Sequence, residues 1–256
     1  MIESLPWQTI ILIAVAGGVI GLDRTAVGQF MISQPIVAAP LAGWLLGDAP
    51  AGFAVGAVLE MIWVLDLPVG TFVPADSTIA AVSATTVAAL GSRGVAAGPE
   101  MIGFCILLTT AMAPVTMAAD RFMRDLNGRI AKRAMNADDA AVERRIIYTQ
   151  VAGMAVFFLK FFLLYLVLVP SGLLAAAAFR AMPVKVHEAM VFFLMLLPLL
   201  GAAMVIHKLS RERVDRFVLF GFVAALLTVL LFRLHPVIAV FAAAVSGWLG
   251  VRYHER

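Results

Sequence analysis

Nine apolar stretches, each bounded by charged residues or by Pro and Gly, account for most of the sequence. A helix that crosses a bilayer needs about 20 apolar residues. Because lipid cannot hydrogen-bond an exposed backbone, a segment within it must be helical or belong to a closed barrel. The pattern predicts an all-α polytopic membrane protein with about nine apolar segments. The segments are residues 7–22, 35–47, 51–65, 77–91, 97–118, 147–169, 189–206, 217–232 and 236–250.

The composition indicates the same class of protein. Hydrophobic residues make up 62% of the 256 positions and charged residues 14%, whereas soluble proteins average about 45–50% apolar and about 25% charged residues. The net charge of +3 is too small to indicate nucleic-acid binding. The surroundings of most side chains are therefore expected to be lipid or other apolar side chains.

Several kinds of chemistry have no support in the sequence. The single cysteine, Cys105, cannot form an internal disulfide. The four histidines lie near segment ends without a metal-binding motif, and there is no glycine-rich nucleotide loop. Glu3 precedes the first basic residue, Arg24, which is atypical of a cleavable signal peptide. We therefore expect no metal, no cofactor, no autonomous kinase or ATP-driven pump, and a retained N-terminus.

The apolar segments differ in length between the front and the back of the chain. The first four are mostly too short to cross a bilayer, whereas residues 97–118 and 147–169 are long enough. Because interrupted backbone at membrane depth must be buried or line a cavity, we predict that the first four form two re-entrant, V-shaped helical hairpins, the first pairing with the second and the third with the fourth. Four plain crossings with tight turns are the alternative. The predicted regions are a hairpin region at 1–92, a transmembrane helix at 93–118, a polar cytoplasmic connector at 119–146 and a transmembrane helix core at 147–256.

Basic residues predict the orientation of the chain. Seven of them lie in 119–146, a second cluster lies between residues 208 and 216, and Arg252 and Arg256 end the chain. If the spans after residue 146 all cross, these clusters lie on one face, which the positive-inside rule makes cytoplasmic. The C-terminus is then cytoplasmic and the N-terminus external, or periplasmic.

Carboxylates without a nearby cation are the most informative polar residues. No Lys or Arg occurs between residues 25 and 92, yet Asp48, Glu60, Asp66 and Asp76 do. A charge within the bilayer is costly, and such a residue indicates a functional site by default. Glu60 has Trp63 one helical turn along its face, and a carboxylate beside an aromatic ring suits a sugar.

Structural roles for the same acids remain open. Asp48 would then end an apolar segment at the interface, and Asp66 and Asp76 would cap helix N-termini. For Asp76, capping and ligand binding are compatible.

Lys160 interrupts a run of apolar residues near the middle of segment 147–169. That position is too far from either interface for the amine to reach water easily. We predict an intramembrane cation that pairs with a carboxylate from the front of the chain or binds an anionic product; a purely structural pairing is equally compatible.

An ordered set of motifs in the front third carries a resemblance to a known family. It runs through Gln34-Pro35-Ile36-Val37-Ala38-Ala39-Pro40-Leu41-Ala42-Gly43, Leu46-Gly47-Asp48, Gly56-Ala57-Val58-Leu59-Glu60-Met61-Ile62-Trp63, Pro68-Val69-Gly70 and Pro74-Ala75-Asp76. The chain resembles the membrane C subunit (EIIC) of the mannose/fructose/sorbose family of bacterial sugar phosphotransferase systems. The match is strongest over residues 15–90 and continues more weakly through Lys160.

The resemblance implies a sugar pathway built with a membrane D subunit, and soluble A and B phosphocarrier subunits that phosphorylate the sugar on delivery. By position, Glu60 and Asp76 match acidic positions of the family. The chain departs from the family where Gln34 replaces a usual arginine, where Pro74-Ala75-Asp76 replaces a Pro-Pro-Asp or Ala-Pro-Asp motif, and at Asp66. These departures leave the sugar unidentified and are compatible with a diverged, non-transporting member.

The sequence therefore predicts a permease subunit of the bacterial inner membrane that takes up a hexose or related sugar and is not an enzyme by itself. Its candidate substrate-binding residues are Glu60, Trp63, Asp66 and Asp76. A proton-coupled secondary transporter of a small polar solute is the main alternative, because a buried carboxylate can also carry a coupling proton. An integral-membrane transferase and a non-transporting scaffold are further alternatives.

Overall fold

The computed structural model describes residues 5–63, 73–92, 94–135 and 142–209, and every regular element within these ranges is an α-helix. The chain divides into two compact units, residues 1–198 and 199–256, and of the second unit only residues 199–209 are described. The predicted segments 217–232 and 236–250 lie outside the described residues. The helices are α1 (Trp7–Leu22), α2 (Pro35–Leu46), α3 (Ala49–Trp63), α4 (Ser77–Gly91), α5 (Pro99–Ala111), α6 (Ala113–Met135), α7 (Val142–Arg180) and α8 (Val184–Leu209).

Two of the described helices are long and apolar enough to cross a membrane. They are α7, over Glu143–Arg180, and α8, over Val184–Val205. A third crossing is formed if α5 and α6 act as one span, although the two are bent by 43°. Pro114 lies in the first turn of α6, and because proline has no N–H to continue the hydrogen bonds of α5 it explains the break.

The predicted connector at 119–146 is helical where the structure describes it, because α6 continues to Met135 and α7 begins at Val142.

α2 and α3 form a tight hairpin whose backbones touch. Gly47 ends α2 with a φ of 78°, a left-handed conformation that favours glycine. A Cβ added to Gly43, Gly52 or Gly56 would lie 2.5 to 2.6 Å from a backbone oxygen of the other helix or of the turn. Small residues of this kind allow close helix approach in lipid.

α1 packs mainly against α7 rather than against α2. Gly21 lies under the ring of Phe161, where an added Cβ would be 2.5 Å from the ring, and Gly17 lies under Tyr165 in the same way. The first four helices thus have bounds close to the predicted segments, but their closest partners differ from the predicted pairs. Glycines explain why the pairs differ, because they allow α2 to approach α3 and α1 to approach α7 closely.

α4 is the most enclosed of these helices. Thirteen of its 15 residues are buried, and it contacts α1, α2, α3, α5 and α7 within the first unit. Ala, Ser and Thr predominate in its sequence, and small side chains permit close packing on every side. The helix begins at Asp76, whose side chain accepts a hydrogen bond from the backbone N–H of Ile79.

Candidate functional site

A buried lysine joins two carboxylates from different helices. Lys160 on α7 is 2% exposed. Its Nζ donates to Oδ2 of Asp76 at 2.9 Å and to Oδ1 of Asp120, on α6, at 3.0 Å. Arg124 in turn donates from Nε to Oδ2 of Asp120 at 2.7 Å. Charges removed from water need such partners, since removing one member leaves an uncompensated buried charge.

A second cation reaches the same carboxylate from the end of α1. Nη1 of Arg24 lies 3.6 Å from Oδ1 of Asp76 and donates to Oγ of Ser77 at 2.7 Å. Nη2 of Arg24 donates to the carbonyl oxygen of Ala75 at 3.1 Å. Asp76 is therefore held between a lysine and an arginine. We call Arg24, Asp76, Asp120, Arg124 and Lys160 the Lys160 cluster.

The loop between α1 and α2 positions Arg24. Next to it, Asp23 is buried and accepts hydrogen bonds from the backbone N–H groups of Phe30 at 2.6 Å and Ser33 at 3.0 Å. The carbonyl of Ser33 accepts a hydrogen bond from Oγ1 of Thr78 at 2.7 Å, in the first turn of α4. Asp23 thus folds the loop over the start of α4, and Arg24 is held beside Asp76.

The bend between α5 and α6 positions the other side of Asp76. Thr116 lies one turn after the break, and its Oγ1 donates to the carbonyl of Ala113 at 2.9 Å. The same oxygen accepts a hydrogen bond from the backbone N–H of Asp76 at 3.2 Å. Thr116 therefore provides the hydrogen-bond acceptor for the backbone N–H of Asp76, immediately before α4.

A cavity of about 210 Å³ adjoins Asp76. It lies among α3, α4, α5, α6 and α7 within the first unit. Its lining is mainly apolar, with a few polar side chains, which is typical of small-molecule sites. The side chains with a polar atom are Trp63, Asp76, Ser83, Thr109, Thr116 and Ser171.

Two of the four predicted substrate-binding residues line this cavity. Asp76 and Trp63 both belong to its lining. Lys160 does not line the cavity, but its Nζ donates to Oδ2 of Asp76, which does. Asp66 lies outside the described residues.

Glu60 is not in the lining of the cavity. Its Oε2 accepts a hydrogen bond from the backbone N–H of Ile36 at 3.2 Å, in the first turn of α2. A carboxylate satisfies unpaired amides there and interacts favourably with the helix dipole. The structure therefore gives Glu60 a helix-capping contact, and its role as a sugar ligand stays a prediction.

Sequence reasoning missed Arg24, Asp120, Ser83 and Thr116. Asp120 had no signal because it lies in a polar segment rich in charge, where a solvated side chain is expected. Arg24 stands beside an interruption of the apolar pattern, which could have indicated a site. Across the described ranges, no group of three or more His, Cys, Asp or Glu side chains could hold a metal ion.

Comparison with known sequences identifies relatives along most of the chain. A family profile described as "PTS system sorbose-specific IIC component" matches residues 7–246. The mannose-specific EIIC component of the PTS system of Escherichia coli K12 is 24% identical over 227 residues, which are 86% of this chain and 80% of that protein. The fructose permease IIC component of Bacillus subtilis 168 is 24% identical over 220 residues, covering 86% and 79%.

Solved structures share the fold. A chain described as a membrane protein superposes with a TM-score of 0.73 at 19% identity, covering 99% of this chain and 97% of that one. A chain from the cryo-EM structure of the mannose transporter ManYZ with microcin E492 gives a TM-score of 0.58 at 20% identity, with the same coverages. At these identities the two structures support the fold alone.

Proposed function

The chain belongs to the family of PTS sorbose-specific IIC components, and we propose that it takes up a hexose or related sugar that partner subunits phosphorylate during uptake. The resemblance to this family is confirmed, and the chain is a sugar-transporting, multi-pass membrane subunit of the bacterial inner membrane. The chain itself contributes the pathway and no phosphoryl-transfer step.

The cavity beside Asp76 is the observation that supports a sugar site. Carboxylate oxygens accept hydrogen bonds from sugar hydroxyls, and the ring of Trp63 can cover an apolar face of the sugar. Both residues line one cavity of about 210 Å³. Because most of the lining is apolar, a few polar groups would fix the orientation of the sugar.

Lys160 and Arg24 have a positioning role in this proposal. Each contacts Asp76, and neither lines the cavity. The two cations keep Asp76 ionised in apolar surroundings, since a nearby opposite charge favours the charged form. An ionised carboxylate is acceptor-only, so Asp76 would bind hydroxyl donors of the sugar.

Partner subunits complete the proposed system. A membrane D subunit would share the sugar pathway, and soluble A and B subunits would carry the phosphoryl group. The matching family and the E. coli relative are both named as components of a PTS system, which supports further subunits in the proposed complex.

Uptake by membrane vesicles tests the function. Vesicles containing this chain and its neighbouring phosphotransferase subunits would be given radiolabelled mannose, fructose, sorbose and glucosamine, with and without phosphoenolpyruvate. We expect one sugar to accumulate as its phosphate only when phosphoenolpyruvate is present. Accumulation of free sugar that a protonophore abolishes would replace the proposal with a proton-coupled carrier.

Asp76→Asn tests the site within the same assay. Asparagine keeps the size of the side chain and an oxygen that can cap α4, but it removes the charge. We expect uptake to be lost while membrane insertion stays normal. Unchanged uptake would exclude Asp76 as a sugar ligand.

The orientation is part of the proposal and has its own test. Because Cys105 is the single cysteine, a Cys105→Ser background allows labelling at chosen positions. Lys132→Cys on α6 should be protected from an impermeant maleimide added to intact cells, and Lys185→Cys at the start of α8 should react. The opposite pattern would invert the proposed topology.

A further inference from the structure

Ser83 has a buried hydroxyl with no hydrogen-bond partner among the described residues. It lies on α4, is 1% exposed, and lines the cavity. Buried polar groups are nearly always hydrogen-bonded, and leaving one unpaired is costly. An unpaired hydroxyl in the wall of a cavity therefore indicates a partner that enters the cavity.

The other hydroxyls of the lining already have partners. Thr109 donates to the carbonyl of Cys105 at 2.9 Å, Ser171 to that of Val167 at 2.8 Å, and Thr116 to that of Ala113 at 2.9 Å. Serine and threonine within helices commonly bond in this way to a carbonyl three or four residues earlier. No such bond is formed by Ser83, so both its proton and its lone pairs are available.

The position of Ser83 on α4 relates it to Asp76. The two residues are seven positions apart, which is two helical turns and about 10 Å along the axis. Both face the same cavity, as expected for residues two turns apart. A monosaccharide between them, with a hydrogen bond at each end, can bridge this separation.

We infer that Ser83 is a specificity-determining residue that hydrogen-bonds one hydroxyl of the bound sugar, at the end of the site opposite Asp76. The inference rests on the proposed function and assigns a further contact of the same site. Ser83 would select between sugars that differ in the presence or configuration of that one hydroxyl. A site built to hydrogen-bond a substrate hydroxyl disfavours analogues that lack it, because its own polar group is then left unpaired.

The contact is tested by changing the protein side chain and the sugar hydroxyl separately and together. Wild type and Ser83→Ala would be compared in vesicles by the KM for the transported parent sugar and for each of its monodeoxy analogues. We expect wild type to show a KM about 3- to 10-fold higher for one analogue than for the parent, as for a single hydrogen bond. Ser83→Ala should raise the KM of the parent by a similar factor and remove the discrimination against that analogue alone.

Two further variants separate this contact from a packing effect. Thr85 is also buried on α4 with no partner among the described residues, but it does not line the cavity. Thr85→Val should therefore leave the discrimination unchanged, and Ser83→Thr, which keeps the hydroxyl, should retain it.

The outcomes distinguish this inference from the proposed function. If Ser83→Ala takes up every analogue with the wild-type pattern of KM values, the inference is overturned while the sugar-transport function stands. If wild type shows no uptake of any sugar with phosphoenolpyruvate, the proposed function and the inference fall together.

Discussion

α7 and α4 meet at the Lys160 cluster, but the two helices have different surroundings. α7 has 39 residues, and only 17% of its most apolar 18-residue stretch is buried inside the protein. α4 has 15 residues, of which 13 are buried. Large apolar side chains such as Leu, Phe and Val are frequent in α7, whereas Ala, Ser and Thr predominate in α4. Without water, apolar side chains suit lipid, whereas small ones suit close contact between helices.

The comparison of α7 with α4 shows that the longer and more exposed helix is not the one that contributes most to the candidate site. Hydropathy finds α7 readily because α7 contains a long apolar run that is little buried inside the protein. The unpaired hydroxyl of Ser83 instead belongs to α4, which contributes to the lining of the cavity and is shorter than a bilayer crossing requires. In this chain the enclosed helix carries the candidate site, and the exposed helix supplies the cation that supports it.

The largest effect is expected where the two helices are joined by charge. Lys160→Met leaves Asp76 and Asp120 close together without the cation between them, and breaking a buried ion pair costs about 3–5 kcal/mol. We expect the free energy of unfolding in detergent to fall by that amount. Lys185→Met, at an exposed lysine of α8, should have no effect.

Neutralising one of the two acids sharpens this prediction. The double variant with Asp120→Asn and Lys160→Met should regain part of the lost stability, because Asp76 then no longer faces a second carboxylate across the site that Lys160 occupied. A Lys160→Met protein as stable as wild type would show that the cluster does not hold the two helices together.

A smaller effect is expected where α7 packs on α1. Gly21→Leu would place a side chain against the ring of Phe161, and overpacking of this kind costs up to about 3 kcal/mol. Thermal unfolding in detergent would measure the loss. Gly128→Leu on α6 is the matched control, because no atom lies within 4 Å of its added Cβ; equal losses in the two variants would refute a specific α1–α7 contact.

Truncating one valine on each helix tests the comparison directly. Val82 on α4 is 1% exposed and Val167 on α7 is 65% exposed. Val82→Ala should cost about 2 kcal/mol of unfolding free energy because it leaves a cavity, whereas Val167→Ala should cost less than about 0.5 kcal/mol. Similar losses at both positions, measured by denaturant titration in detergent, would mean that α7 is also enclosed by protein.

A smaller structural effect than that of Val82→Ala is expected at Glu60, away from the cluster. Glu60→Ala removes the contact with the backbone N–H of Ile36 and should cost about 1 kcal/mol, as for a lost helix cap. Glu60→Gln keeps an acceptor oxygen and should preserve stability. If Glu60→Gln nevertheless abolishes uptake, Glu60 has a role in transport that its capping contact does not explain.

The sequence predicted some parts of this arrangement because they interrupt a regular pattern. The helical class follows from the apolar segments, and the bounds of α1 to α4 lie close to those of the first four predicted segments. Lys160 was detected because a cation in an apolar run needs a partner. In the structure Lys160 pairs with Asp76. Pairing with a carboxylate from the front of the chain was one of the predicted alternatives.

Other parts had no local signal. Asp120 lies among charged neighbours, so its burial depends on the approach of α7, which sequence spacing does not specify. Ser83 stands among Ala, Ser and Thr residues of similar polarity, and only the packing of α4 makes its hydroxyl unusual. The pairing of α2 with α3 depends on which glycine faces meet, and the lengths and interruptions of the apolar segments do not specify that.

The glycine contacts of the α2–α3 hairpin also have a mechanical consequence. Where two backbones touch, no layer of side chains remains that could change rotamers and absorb a displacement. Packed interiors of low compressibility transmit strain, so the hairpin should behave as one stiff lever. A movement of either helix during transport would then displace both helices of the hairpin together, and α4 contacts both.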